Sequence, residues 1–132
     1  MYQIIDGKEI STQIKNECRD RVAAYKEQGV EICLAVIQVG NDSASSVYVN
    51  NKKKACEYVG FSFMHFDYLS EVKESVVIRK IKELNRDKTV NGILLQLPIP
   101  GHFNLEKIIN TIDPRKDVAG LTTTNMGKLL SG

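Results

Sequence analysis

The chain has 132 residues, 42% of them hydrophobic and 26% charged, with a formal net charge of +2. This is the make-up of one ordinary globular domain, with little room for a second. The small charge and scattered basic residues argue against a nucleic-acid surface, and no apolar run approaches the roughly 20 residues that span a bilayer.

Met1 to Lys8 lacks the basic start and apolar core of a secretory signal. Cys18, Cys33 and Cys56 show neither C-x-x-C nor zinc spacing, so they read as free thiols of a reducing compartment; the cytoplasm is the expected location. From about Gly7 to Gln28 apolar residues recur at helical spacing (Ile10, Ile14, Cys18, Val22), and Gly29 is a plausible stop. Ile32 to Val39 is an almost unbroken apolar run, short and rich in β-branched residues, and reads as a buried parallel strand. Asp42 and Ser43 are good N-caps for a helix running to about Val59 and closed by Gly60. Phe61 to Phe66 alternates as a second strand. Glu71 to Asn85 reads as a helix with Val72, Val76, Ile81 and Leu84 on or near one side. Gly92 to Leu97 is a third buried strand, stopped by Pro98 and Pro100. Asn104 caps a helix from Leu105 to Ile112, a turn-rich loop spans Asp113 to Gly120, and a short helix is expected near Asn125 to Leu130. Three successive βα units predict an α/β fold: a three-layer domain with a mainly parallel sheet and helices on both faces.

Ligands of such sheets sit at the carboxyl ends of the strands. The loop after Val39, the start of the helix bearing Tyr48 and Lys52, and the Gln96 to Pro100 segment all lie at that edge. Tyr48 and Lys52, four residues apart, share a helix face, so a phenol and an amine can enter one cleft. A lysine partly screened from water has its charged form disfavoured and can exchange protons nearer neutrality. The plain alternatives are an exposed helix lysine and a tyrosine half-buried in a helix–sheet seam; for Lys53 and Lys54 a solvated face is the reading. Gln96 lies in an apolar strand, where an amide is costly unless partnered, and it could hold a lysine amine in place; the alternative is a strand end open to solvent. Pro98 and Pro100 make a stiff wall. Asp117 is a candidate substrate anchor or simply a turn carboxylate. His65 reads as a strand residue and His102 as a loop residue. No G-x-G-x-x-G is present, and Gly120 to Leu129 lacks the spacing and hydroxyl of a P-loop.

Four stretches in order resemble the bifunctional methylenetetrahydrofolate dehydrogenase/cyclohydrolase family. They are Val39-Gly-Asn-Asp-Ser-Ala-Ser45, Tyr48-Val-Asn-Asn-Lys52 with Lys54, Gly92-Ile-Leu-Leu-Gln-Leu-Pro-Ile-Pro100, and Pro114-Arg-Lys-Asp-Val-Ala-Gly-Leu121. Asp6-Gly7-Lys8 and Asn125-Met-Gly127-Lys-Leu129 fit as well. The resemblance implies oxidation of 5,10-methylenetetrahydrofolate to the methenyl form with NADP, NAD being the alternative, and hydrolysis to 10-formyltetrahydrofolate, in a cytosolic homodimer. It implies Lys52 as the central acid–base residue, Tyr48 as the group that stacks on the pterin and orients Lys52, and Gln96 as the partner that tunes the amine. It implies a folate pocket of Tyr48, Lys52, Leu95, Gln96, Leu97 and Pro98, with Asp117 and Ala119 in the loop beyond.

Two departures bear on that expectation. The family pattern Lys-Asp-Val-Asp-Gly here reads Lys116-Asp117-Val118-Ala119-Gly120. The missing carboxylate is the one the family uses to grip the pterin. A hydrogen bond to a charged group is worth about 1.5–3 kcal/mol, so folate is expected to bind roughly 10- to 150-fold more weakly; Asp117 is not expected to substitute. The family also continues into a Rossmann nucleotide domain, whereas this sequence closes at Gly132. Residues 1–132 are therefore expected to be the folate-binding catalytic domain, without a cofactor seat, transferring no hydride alone and retaining at most poor cyclohydrolase activity. A rival expectation is a non-catalytic remnant that binds folate or a protein surface.

Overall fold

The computed structural model describes residues 7–118, with side chains from residue 13 onward. Asp6, Ala119 and the short helix expected near Asn125 lie outside the described residues. The elements are α1 (Gly7–Glu27), β1 (Cys33–Val39), α2 (Ser43–Val59), β2 (Ser62–Tyr68), α3 (Glu74–Arg86), β3 (Gly92–Gln96) and α4 (Leu105–Thr111). The strands form one parallel sheet in the order β2-β1-β3.

β1 is central, and helices cover both of its sides, which is why its sequence does not alternate. Cys33, Ala35, Ile37 and Val39 point to one face and join Ile93 and Leu95 of β3, Val77, Ile81 and Leu84 of α3, and Ile108 of α4 in the main core. On the other face Val36 is buried beneath α2, which contributes Val49, Cys56 and Val59. α1 packs on the outside of α2, with Val22 buried between them. The expected three-layer parallel architecture is the one found.

Several boundaries shift. α3 begins at Glu74, three residues later than the periodicity suggests, because Lys73 is extended at the N-cap and Val72 sits in a turn, its N–H donating to the Leu69 carbonyl at 3.0 Å. Its buried stripe is Val77, Ile81 and Leu84, at intervals of four and three, and Val76 faces solvent. A choice of 76 over 77 turns the face by about 100°, one residue of a 3.6-residue turn. β2 extends to Tyr68, and α4 ends one residue early. The expected caps are in place: Asp42 accepts from the Ser45 N–H at 2.8 Å, and Asn104 from the Lys107 N–H at 3.1 Å.

Gly60 closes α2 in the left-handed conformation (φ 90°), its N–H donating to the Cys56 carbonyl. A Cβ there would lie 3.3 Å from both Val22 and the Lys26 amine, so the same residue ends α2 and lets α1 approach. Gly60→Ala should therefore lower unfolding stability by about 1–2 kcal/mol, the cost of a left-handed L-residue, read from urea denaturation midpoints.

Candidate functional site

The site follows from how one helix lies across two strand ends. β1 passes through Gly40-Asn41-Asp42 into α2, so the first turns of α2 cover the carboxyl edge of the sheet. Ser45, Val49, Cys56 and Val59 form its buried stripe, and Lys52 falls on the same stripe, seven residues after Ser45. This position makes Lys52 half-buried, unlike its exposed neighbours Lys53 and Lys54. Tyr48, one turn before it, is 56% exposed, so the phenol sits on the open side of the helix rather than in the helix–sheet seam.

From β3, Gln96 projects to the same face and is only 7% exposed. The Lys52 amine donates to Gln96 Oε1 at 2.5 Å. Gln96 Nε2 donates in turn to the Leu97 carbonyl at 3.1 Å. With its nitrogen engaged, the amide presents only its oxygen to the lysine. The pairing also answers the cost of placing an amide in an apolar strand. Burial lowers the Lys52 pKa from the ordinary lysine value, because the charged amine loses hydration.

Ser45, which the sequence offered only as the end of the Val39–Ser45 stretch, joins this arrangement. Its side chain is 2% exposed, and its hydroxyl donates to the same Leu97 carbonyl at 3.1 Å. That bond ties the first turn of α2 to the end of β3. The available signal was a serine seven residues before Lys52 on an otherwise apolar stripe. Leu97 and Pro98, joined by a cis peptide bond, form an exposed rim beside Gln96.

Two of the expected pocket residues do not sit beside the Lys52–Gln96 pair. Leu95 points to the opposite face of β3 from Gln96 and belongs to the core under α3 and α4; alternation along a strand separates the two neighbours. Asp117 pairs with Ile93 in a parallel bridge, three residues before Gln96 and therefore roughly 10 Å up the strand. Its segment is held there by the Ile93 N–H donating to the Lys116 carbonyl at 2.7 Å. The Lys116 amine reinforces it by donating to the carbonyls of Leu84 (2.9 Å) and Asp87 (2.8 Å) at the end of α3. Ala119 lies outside the described residues. His65 is on β2 and His102 is in the loop before α4, as read.

The sequence of residues 5–119 matches the profile of the tetrahydrofolate dehydrogenase/cyclohydrolase catalytic domain. The chain belongs to that family. It is 52% identical to the bifunctional protein FolD of Agathobacter rectalis, over all of this chain and 47% of that protein. It is 50% identical to the protein of the same name from Lachnoclostridium phytofermentans, with the same coverage. The chain thus spans about half the length of the curated relatives it matches. Among solved structures, the bifunctional FolD enzyme of Campylobacter jejuni superposes with a TM-score of 0.92 at 40% identity, over 94% of this chain and 44% of that one. The Trypanosoma brucei FolD, solved with NADP cofactor and inhibitor, gives 0.92 at 29% identity, over 96% of this chain and 43% of its own.

The turn from β1 into α2 does not suit a dinucleotide such as the NADP with which the Trypanosoma brucei enzyme was solved. The turn from β1 into α2 is the place where a Rossmann unit would seat pyrophosphate, but here the Asp42 carboxylate occupies the first turn by accepting the Ser45 N–H. A second anion there would meet like charge. No chemical step is therefore assigned to a nicotinamide within residues 7–118. No helix among them is long and apolar enough to cross a membrane.

The direction of the Lys52 shift has a thermodynamic consequence. An amine whose folded-state pKa lies below its unfolded value binds fewer protons when folded, across the interval between the two. The Lys52 contribution to stability therefore rises with pH across that interval, up to the ordinary lysine range, while burial of Cys33, Cys56 and Tyr68, whose pKa values it pushes up, contributes a fall over the alkaline range. Urea denaturation in the alkaline range should give the natural chain and Lys53→Met the same profile. Lys52→Met should lose more stability than either as pH rises, and an identical slope in all three would place the titration elsewhere.

Proposed function

We propose that this chain is the folate-binding, catalytic half of a bifunctional methylenetetrahydrofolate dehydrogenase/cyclohydrolase. The observation that carries the reading is the Lys52–Gln96 hydrogen bond at the carboxyl edge of the sheet, with Tyr48 open one turn away. A flat pterin fits the exposed phenol ring by stacking. Its one-carbon bridge would then lie near the Lys52 amine.

In the hydrolytic step, the neutral Lys52 amine takes a proton from the water that adds to the methenyl carbon. The resulting ammonium returns that proton to the ring nitrogen as the carbon–nitrogen bond opens, and the carbinol hydroxyl gives up its own proton to the freed amine and then to solvent, leaving the neutral formyl group with one proton released overall. Gln96 Oε1, already bonded to the amine, fixes the direction of its lone pair through both transfers. Burial of the amine makes its neutral form accessible, the condition a general base needs. Ser45 and the Leu97 carbonyl hold the wall of the cleft. NADP would supply the hydride acceptor of the dehydrogenase step and in this reading would be held outside residues 7–118, with Tyr48 and Lys52 positioning the folate. The assembled enzyme would act as a cytoplasmic homodimer; the free Cys18, Cys33 and Cys56 thiols agree with a reducing location.

Ala119 favours a second reading, a non-catalytic module that retains the folate cleft, since the residue lacks the carboxylate expected from the family pattern. Turnover distinguishes the two, and calorimetric titration with a folate analogue tests the part position 119 plays in the cleft. Ala119→Asp should tighten binding at least about tenfold, by one hydrogen bond to a charged group; no change would remove position 119 from the pocket.

Turnover of methenyltetrahydrofolate supplies the catalytic test. Whatever activity the chain has, Lys52→Ala should abolish it, and Gln96→Leu should reduce it roughly 100-fold or more, the lower end of a general-base contribution. Lys52→Ala with undiminished turnover would exclude the proposed base.

A further inference from the structure

Beside the Lys52–Gln96 pair the structure carries a second polar row that the proposed mechanism does not use. Gln38 on β1 is the register partner of Gln96 on β3, so the two amides lie side by side on the face under α2. Gln38 is 3% exposed, which makes it as buried as the core around it. Its Nε2 donates to Ser46 Oγ at 3.1 Å, and the Ser46 hydroxyl donates onward to the Asp42 carbonyl at 3.2 Å. Its Oε1 lies 3.0 Å from His65 Nε2 on β2. An amide oxygen only accepts, so His65 holds its proton on Nε2 in this contact. The result is a directed chain from His65 through Gln38 and Ser46 to the N-cap of α2. Lys53 and Asp67 line the small cavity of about 210 Å³ above it.

The two rows grip α2 from opposite sides. Toward β3, Ser45 and Lys52 reach the Leu97 carbonyl and Gln96. Toward β2, Ser46 reaches Gln38 and, through it, His65. Ser45 and Ser46 are adjacent, so the N-terminal turn of α2 is fixed in rotation as well as in height above the sheet. Rotation about the helix axis is what sets the depth of Lys52. A turn of the helix toward β3 or away from it would lengthen the Lys52–Gln96 contact or expose the amine. Apolar packing at Val49 alone resists such rotation weakly, since it is non-directional; hydrogen bonds to a buried amide resist it strongly.

We propose that Gln38, held by His65 and acting through Ser46, is a positioning residue that sets the burial of Lys52 and its alignment on Gln96. The inference rests on Lys52 being the working group of the site, and its test is made without folate, so that it can fail or succeed independently of the substrate assignment.

The experiment follows the Lys52 side chain by carbon-13 NMR in the full chain with labelled lysine, its signal assigned by comparison with Lys52→Arg. The titration midpoint is read in the natural protein, Gln38→Leu, Ser46→Ala and Ser46→Thr, each first shown to be folded. Gln38→Leu should move the midpoint upward by about half a pH unit or more, roughly a threefold change in proton affinity. Ser46→Ala should move it in the same direction by less, and Ser46→Thr, which keeps a hydroxyl, should restore it. A purely structural role for Gln38 would lower the melting temperature and leave the midpoint where it was, and that result overturns the proposal. If Gln38→Leu does not fold, the decision passes to the surface serine: an unmoved Lys52 midpoint in Ser46→Ala overturns the proposal equally.

Discussion

A helix that lies across the ends of two parallel strands must have its rotation fixed before any residue on it can serve as a reagent. α2 meets that constraint with a polar stripe set into an apolar one. Ser45 and Lys52 occupy positions that would otherwise complete the buried face of Val49, Cys56 and Val59. Each finds its partner in the last residues of β3 and the turn beyond: Gln96 for the amine, and the Leu97 carbonyl for the hydroxyl. Replacing either partner would leave a buried polar group unpaired, at about 1–3 kcal/mol. The site and the docking of the helix are thus held by the same bonds.

The fold makes this arrangement possible through its parallel register. Gln38 and Gln96 are partners across β1 and β3, and in a sheet partners point to the same face. The opposite face is left to aliphatic side chains, which supply the main core with α3 and α4. The sheet therefore divides its labour between faces: one supplies cohesion, and the carboxyl end of the other holds the Lys52–Gln96 pair. The half-buried setting of Lys52 follows from this division, because the amine is far enough in to lose hydration and near enough to the edge to meet a ligand.

Much of this was legible in the sequence. The unbroken run from Ile32 to Val39 announced a strand buried on both sides. Asp42, Gly60 and Asn104 marked helix ends that the structure reproduces. A polar residue at 96 inside an apolar strand, and an amine four residues after a phenol, drew attention to side chains that the structure brings to one edge of the sheet. The ordered motifs resembled one family, and the match of residues 5–119 to that family's catalytic domain agrees with it. Where periodicity misled, Val76 and Val77 are neighbours of equal hydrophobicity, and the packing of α3 against the sheet and α4 turns Val77 inward.

Sequence by itself determined the order of elements, the buried central strand and the chemical identity of the groups that meet, because hydrophobic spacing and capping are local properties of the chain. Tertiary structure alone decided which of those groups share a face. It brought Ser45, separated by 52 positions in sequence, onto the Leu97 carbonyl, and it joined His65 to Gln38. It sent Leu95 into the core and held Asp117 beside Ile93, away from Gln96. The physical reason is that strand register and helix rotation are set by the sum of packing over the whole sheet, which no short window of residues contains.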